Sequence, residues 1–135
     1  MSDRLLAPDE PSALTETRSN GRSAFVITVD HASSRIPRRL AGLGLPAGEL
    51  ERHIAWDIGV LAVAHRVASA LDAPLVASNY SRLEIDCNRD SHVEIEIRQD
   101  LIFSAAGKDE WARRITRALQ AAGGSFSGAR PCATS

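Results

Sequence analysis

The tightest constraint on the fold is the run Ala24–Val29, apolar except at Thr28 and ending abruptly in Asp30 and His31. A short run of this kind, apolar without alternation and rich in β-branched and aromatic residues, reads as a strand covered on both faces. Ser23–Asp30 is therefore expected as the first strand. In open α/β sheets the chemistry gathers at the carboxyl ends of the strands. A carboxylate followed by an imidazole at such an end makes Asp30 and His31 the first place to look for function.

The rest of the chain alternates helical and extended patterns. Gly42, Gly44 and Pro46 mark a turn-rich connection, after which residues 47–53 can form a short helix. Asp57 is a plausible N-cap for the clearest helix, with Ile58, Leu61, Ala62, His65, Val67, Ala68 and Leu71 at helical spacing. Asp72, Ala73 and Pro74 stop it. Leu75–Ala77 reads as a second short strand, Asn79–Arg82 as a polar turn, and Leu83–Cys87 as extended. His92–Arg98 alternates strictly, with Val93, Ile95 and Ile97 on one face and His92, Glu94, Glu96 and Arg98 on the other. Lys108–Ala122 carries Trp111, Ile115, Ala118 and Leu119 on an apolar stripe and is the last helix. Residues 1–22 lack an apolar period and read as a flexible leader; residues 123–135 read as a loose tail. The order of elements predicts a single α/β domain over 23–122.

Composition narrows the function classes. With 44% hydrophobic and 24% charged residues the chain is globular, and its net charge of -1 provides no field for nucleic acid or for cations. No apolar stretch is long enough to span a bilayer, and the segment from Met1 to Arg4 lacks the basic-then-apolar pattern of a signal peptide. Cys87 and Cys132 are far apart with no thiolate-pair spacing, so two reduced thiols in a cytoplasmic protein are expected.

Four groups could carry chemistry, and each has a structural alternative. His31 could ligate zinc with Asp30 orienting it, or the pair could close a turn. Asp57 could cap its helix or present a hard oxygen to a metal. Arg82, with Asn88 and Arg89, could clamp a carboxylate, or Arg82 could pair with Asp86 four residues on. The polar face of His92–Arg98 could be a solvated edge, or Glu96 could be a general base with Arg98 beside it. His53 and His65 show no metal-binding spacing and read as surface or core-edge histidines.

Four motifs in order resemble the N-formylglutamate amidohydrolase family: DHASSRIP at 30–37, ERHIAWDIG at 51–59, SNYSRL at 78–83 with IDCNR at 85–89, and HVEIEIRQDL at 92–101. The resemblance implies a three-layer α/β/α sandwich with a mixed sheet, a shortened version of the zinc carboxypeptidase-like fold. It implies a Zn2+-dependent hydrolysis of N-formyl-L-glutamate, or a related N-acyl amino acid, to formate and glutamate, as in histidine degradation. By the same resemblance His31 and Asp57 bind the metal and Glu96 is the catalytic base. Arg82, Asn88, Arg89 and Arg98 hold the small acidic substrate. The family's longer members carry a segment with a second metal-binding histidine where this chain passes directly from Arg89 to His92, so only two ligands are expected here and the site is incomplete. The alternative is a non-catalytic remnant or small module that binds an acidic metabolite. An exposed edge at Leu75–Ala77 or His92–Arg98 would favour a homodimer.

Overall fold

The computed structural model describes residues 4–84, 95 and 97–126. Within them three short strands form one mixed sheet: β1 (Leu14–Thr17), β2 (Ile27–Val29) and β3 (Leu75–Ser78), in the order β1-β3-β2. β2 and β3 are parallel, with Ile27 opposite Leu75 and Val29 opposite Ala77. β1 is antiparallel to β3, with Leu14 opposite Ser78. α1 (Val60–Leu71) connects the parallel pair, and α2 (Ala105–Phe126) packs against α1. The α/β order read from the sequence and the mixed sheet implied by the resemblance are thus present.

Packing explains why these segments hold together. Ala64 and Ala68 of α1 are small enough to bring the helix onto Val29, Leu75 and Ala77, and this cluster is the centre of the core. A second cluster joins Val63 and Val67 to Ile102 and Ala112, with Ile27, Trp111, Ile115 and Leu119 against it. Both clusters reach the sheet through Ile27, on the same face as Val29, so α1 and α2 lie on one side. The opposite face is open among the described residues: Thr28 is exposed and Val26 is 62% exposed. These residues therefore supply two layers, and the first strand is covered on one face rather than two.

Several boundaries differ from expectation. The leader expected through residue 22 contains β1. This strand offers no apolar period because its residues are almost all exposed. Its attachment is through main-chain pairing and side-chain hydrogen bonds. Thr15 Oγ1 donates to Asn79 Oδ1 at 2.9 Å, and Tyr80 Oη donates to the Pro11 carbonyl at 2.9 Å. Leu75–Ala77 is not an edge, since β3 is the central strand. The helix expected from residue 47 closes as a single 3-10 turn, Ala47–Glu49, and α2 starts earlier than expected, at Ala105. The extended segment at Leu83–Cys87 begins instead as a turn at Leu83 and Glu84; its remainder, and most of His92–Arg98, lie outside the described residues. No helix among the described residues is long and apolar enough to cross a membrane.

Leu75 is fully buried at the middle of the central strand and contacts both β2 and α1. Leu75→Ala is expected to cost about 2–5 kcal/mol, the range for a buried leucine whose cavity cannot collapse. Urea unfolding of the two proteins measures it.

Candidate functional site

Because β2 and β3 are parallel neighbours, their carboxyl ends lie side by side. A helix that connects two parallel strands begins at that same end. His31 follows β2, Arg82 follows β3, and Asp57 precedes α1, so topology alone brings the three together. His31 is buried, with Nδ1 3.3 Å from Asp57 Oδ2. Arg82 Nη1 is 3.6 Å from the other carboxylate oxygen of Asp57, Oδ1. Asp57 stays partly open to solvent, with 46% of its side chain exposed.

The local backbone explains why Asp57 faces His31. The Asp57 amide donates to the His31 carbonyl at 2.9 Å, which fixes the two residues in register. Asp57 is not the helix cap the sequence suggested: the N-cap of α1 is Gly59, which has no side chain to make a capping hydrogen bond. Gly59 holds that position in a left-handed conformation, φ 89°. A side chain there would be strained and would press on Lys108 and the Ile102 carbonyl. The glycine thus turns the chain into the helix and leaves the Asp57 carboxylate to the site.

Ser81 clips the other side. It is 1% exposed, its hydroxyl donates to the Ala55 carbonyl at 2.6 Å, and its amide donates to the Arg35 carbonyl at 2.8 Å. This ties the segment after β3 to those carrying Asp57 and His31. Nearby, Trp56 Nε1 and Glu84 Oε2 are buried without hydrogen-bond partners among the described residues. Burial, with the charge of Glu10 added, pushes the Glu84 carboxyl above its usual range.

His31, Asp57 and Arg82 form the polar corner of a cavity of about 190 Å³. Ile58, Val60, Ile95, Ile97 and Ile102 form its aliphatic wall, and Gln99 completes the lining. Gln99 Nε2 donates to the Ile58 carbonyl at 3.0 Å. The 3-10 turn Gln99–Leu101 is held against α2 where the Leu101 carbonyl meets Gly107, a position at which any Cβ would collide with it.

Of the residues singled out in the sequence, His31, Asp57 and Arg82 converge. Arg98 does not line the cavity: it is exposed and pairs with Asp100 through Nε at 3.1 Å and Nη2 at 2.7 Å. Glu96, Asn88 and Arg89 lie outside the described residues. The described residues contain no group of three or more His, Cys, Asp or Glu that could hold a metal, so His31 and Asp57 are the pair they offer. Ser81, Gln99 and the isoleucine wall belong to the site as well, and no sequence motif marks them as site residues. Alternation at Ile95 and Ile97 signalled an apolar face, but a core-facing strand has the same pattern.

The family model for N-formylglutamate amidohydrolase matches residues 23–120. The strand end bearing His31, the turn bearing Asp57 and the turn bearing Arg82 all fall inside that match, and the chain belongs to the N-formylglutamate amidohydrolase family. Among solved structures it is similar to the gene product Atu2144 from Agrobacterium tumefaciens, at 31% sequence identity and a TM-score of 0.61. The alignment covers 83% of this chain and 47% of that one, so the chain spans about half that protein's length. None of the curated proteins compared with the chain matches it.

The raised Glu84 pKa has a sign. Its protonated form is the one the fold favours. Its contribution is therefore complete below the ordinary value of 4.5 and is lost as pH rises through the folded value. Glu84→Gln is expected to gain stability over the parent as pH rises from below 4.5 to neutrality. Denaturant midpoints of both proteins across that window check it.

Proposed function

We propose that this chain forms part of a zinc-dependent amidohydrolase site that cleaves the acyl amide of an N-acyl amino acid, N-formyl-L-glutamate or a close relative. The supporting observation is the 3.3 Å separation of His31 Nδ1 and Asp57 Oδ2. That is long for a hydrogen bond between an N–H and a carboxylate, which is about 2.7–2.9 Å when charge-assisted. Two ligands about 2.1 Å from one tetrahedral zinc stand about 3.4 Å apart, so the pair fits the edge of such a site. A catalytic zinc takes three protein ligands, and the described residues offer two of them.

Bound there, Zn2+ would acidify a water and polarise the scissile carbonyl. The chain's own groups do the rest. The backbone bond from Asp57 to His31 holds both donors before any metal arrives. Arg82 offers its guanidinium to the substrate carboxylate and thereby orients the acyl amide towards the polar corner. Glu96, on the family resemblance, takes the proton from water and returns it to the departing amine. The acyl carbon gains the hydroxyl and is released as formate, leaving the free amino acid.

Zinc titration and formate release from N-formylglutamate test this. His31→Ala and Asp57→Asn are each expected to weaken zinc binding by more than the roughly 10–100-fold typical of a supporting residue, and to abolish formate release. Zinc affinity unchanged in both variants would refute the assignment. Metal-independent binding of the amino acid without turnover would favour the alternative, a non-catalytic module that binds an acidic metabolite.

A further inference from the structure

α1 and α2 together line a groove of about 390 Å³ that shares no lining residue with the cavity at His31. Arg66 comes from α1, and Arg113 and Arg117 come from one face of α2, a single helical turn apart. Ala112 and Thr116, 5% and 8% exposed, also line it. Small, buried side chains beside long, charged ones make this surface concave.

The charge of the groove is cationic. Asp109 is the carboxylate among its described lining residues, and Arg66 Nε donates to it at 2.5 Å. Glu110, the next residue, accepts from Arg113 Nη2 and from Arg114 Nε, each at 2.8 Å. Arg66, Arg113, Arg114 and Arg117 thus meet two carboxylates here, on a chain whose net charge is -1. A guanidinium presents five N–H donors in a planar fork, so an arginine bonded to one carboxylate keeps donors for a second anion. Guanidinium groups that share one groove repel one another, and an anion with two or more charges relieves that repulsion by bridging them.

We propose that the α1–α2 groove binds a small multivalent oxyanion, a polyphosphate or a polycarboxylate, bridged by Arg66, Arg113 and Arg117. The site is independent of the amidohydrolase reading and of any metal. A merely solvated arginine face would make neighbouring guanidinium groups equivalent. The groove instead distinguishes Arg113 and Arg117, which line it, from Arg114, which lies over the Trp111 ring at 5.3 Å from its centroid.

Calorimetry on the full, metal-free chain at fixed ionic strength tests this, with inorganic pyrophosphate and citrate as probes and acetate as the monovalent control. At least one of the two probes is expected to bind, and which one does so tells phosphate from carboxylate chemistry. Arg113→Gln and Arg117→Gln alter exposed positions of α2 and keep a good helix former there. Each is expected to weaken binding about tenfold or more, the scale of one lost charge-assisted hydrogen bond. Arg114→Gln removes the same charge from the same helix and is expected to leave the affinity within about twofold, since solvent and salt screen a charge that makes no contact. Arg82→Gln, in the other cavity, is expected to change nothing. Binding of neither probe, no discrimination against acetate, equal effects of Arg113→Gln, Arg117→Gln and Arg114→Gln, or a loss confined to Arg82→Gln would overturn the proposal.

Discussion

The parallel pairing of β2 with β3 is the interaction on which the rest of the structure depends. It places two strand ends side by side and requires a crossover, which α1 provides. Ala64 and Ala68 let that helix sit close on Val29, Leu75 and Ala77, so the crossover is also the core. Once these three elements are fixed, His31, Asp57 and Arg82 have little freedom to be elsewhere. The main-chain bond from Asp57 to His31 and the Ser81 clip to Ala55 then set their register.

Much of this was legible in the sequence because it rests on strong local signals. The apolar run before Asp30, the helical period through Leu71 and the stop at Pro74 define the strand–helix–strand unit, and chemistry at its carboxyl end follows from topology. Asp57 was legible as a polar residue of interest, but its local signal was that of a helix cap. Gly59 takes that role in the structure, and only a left-handed backbone angle, which composition does not reveal, separates the two cases. β1 was illegible for a different reason: an exposed edge strand has no burial to impose a period, and it is held by pairing with β3 and by Asn79.

The cavity shows the limit of local patterns most clearly. Ile95 and Ile97 alternate as a core-facing strand does, yet they border a cavity together with Ile58, Val60 and Ile102 from two other places in the chain. Such a wall exists only after the Gln99–Leu101 turn has closed on α2 over Gly107. Arg98 teaches the converse. Its sequence position beside Glu96 made it a substrate ligand by resemblance, but Asp100, two residues on, offers a bidentate partner within reach, and the pair faces solvent.

The proposed function turns on His31 and Asp57 acting as two ligands of one zinc ion. X-ray absorption at the zinc edge on the loaded full chain tests it most directly, by comparing the parent with His31→Ala and Asp57→Asn. Nitrogen and oxygen neighbours at about 2.0–2.2 Å are expected in the parent, with an imidazole signature lost in His31→Ala and an oxygen neighbour lost or lengthened in Asp57→Asn. Spectra unchanged in both variants would place the metal elsewhere and rule out this ligand pair.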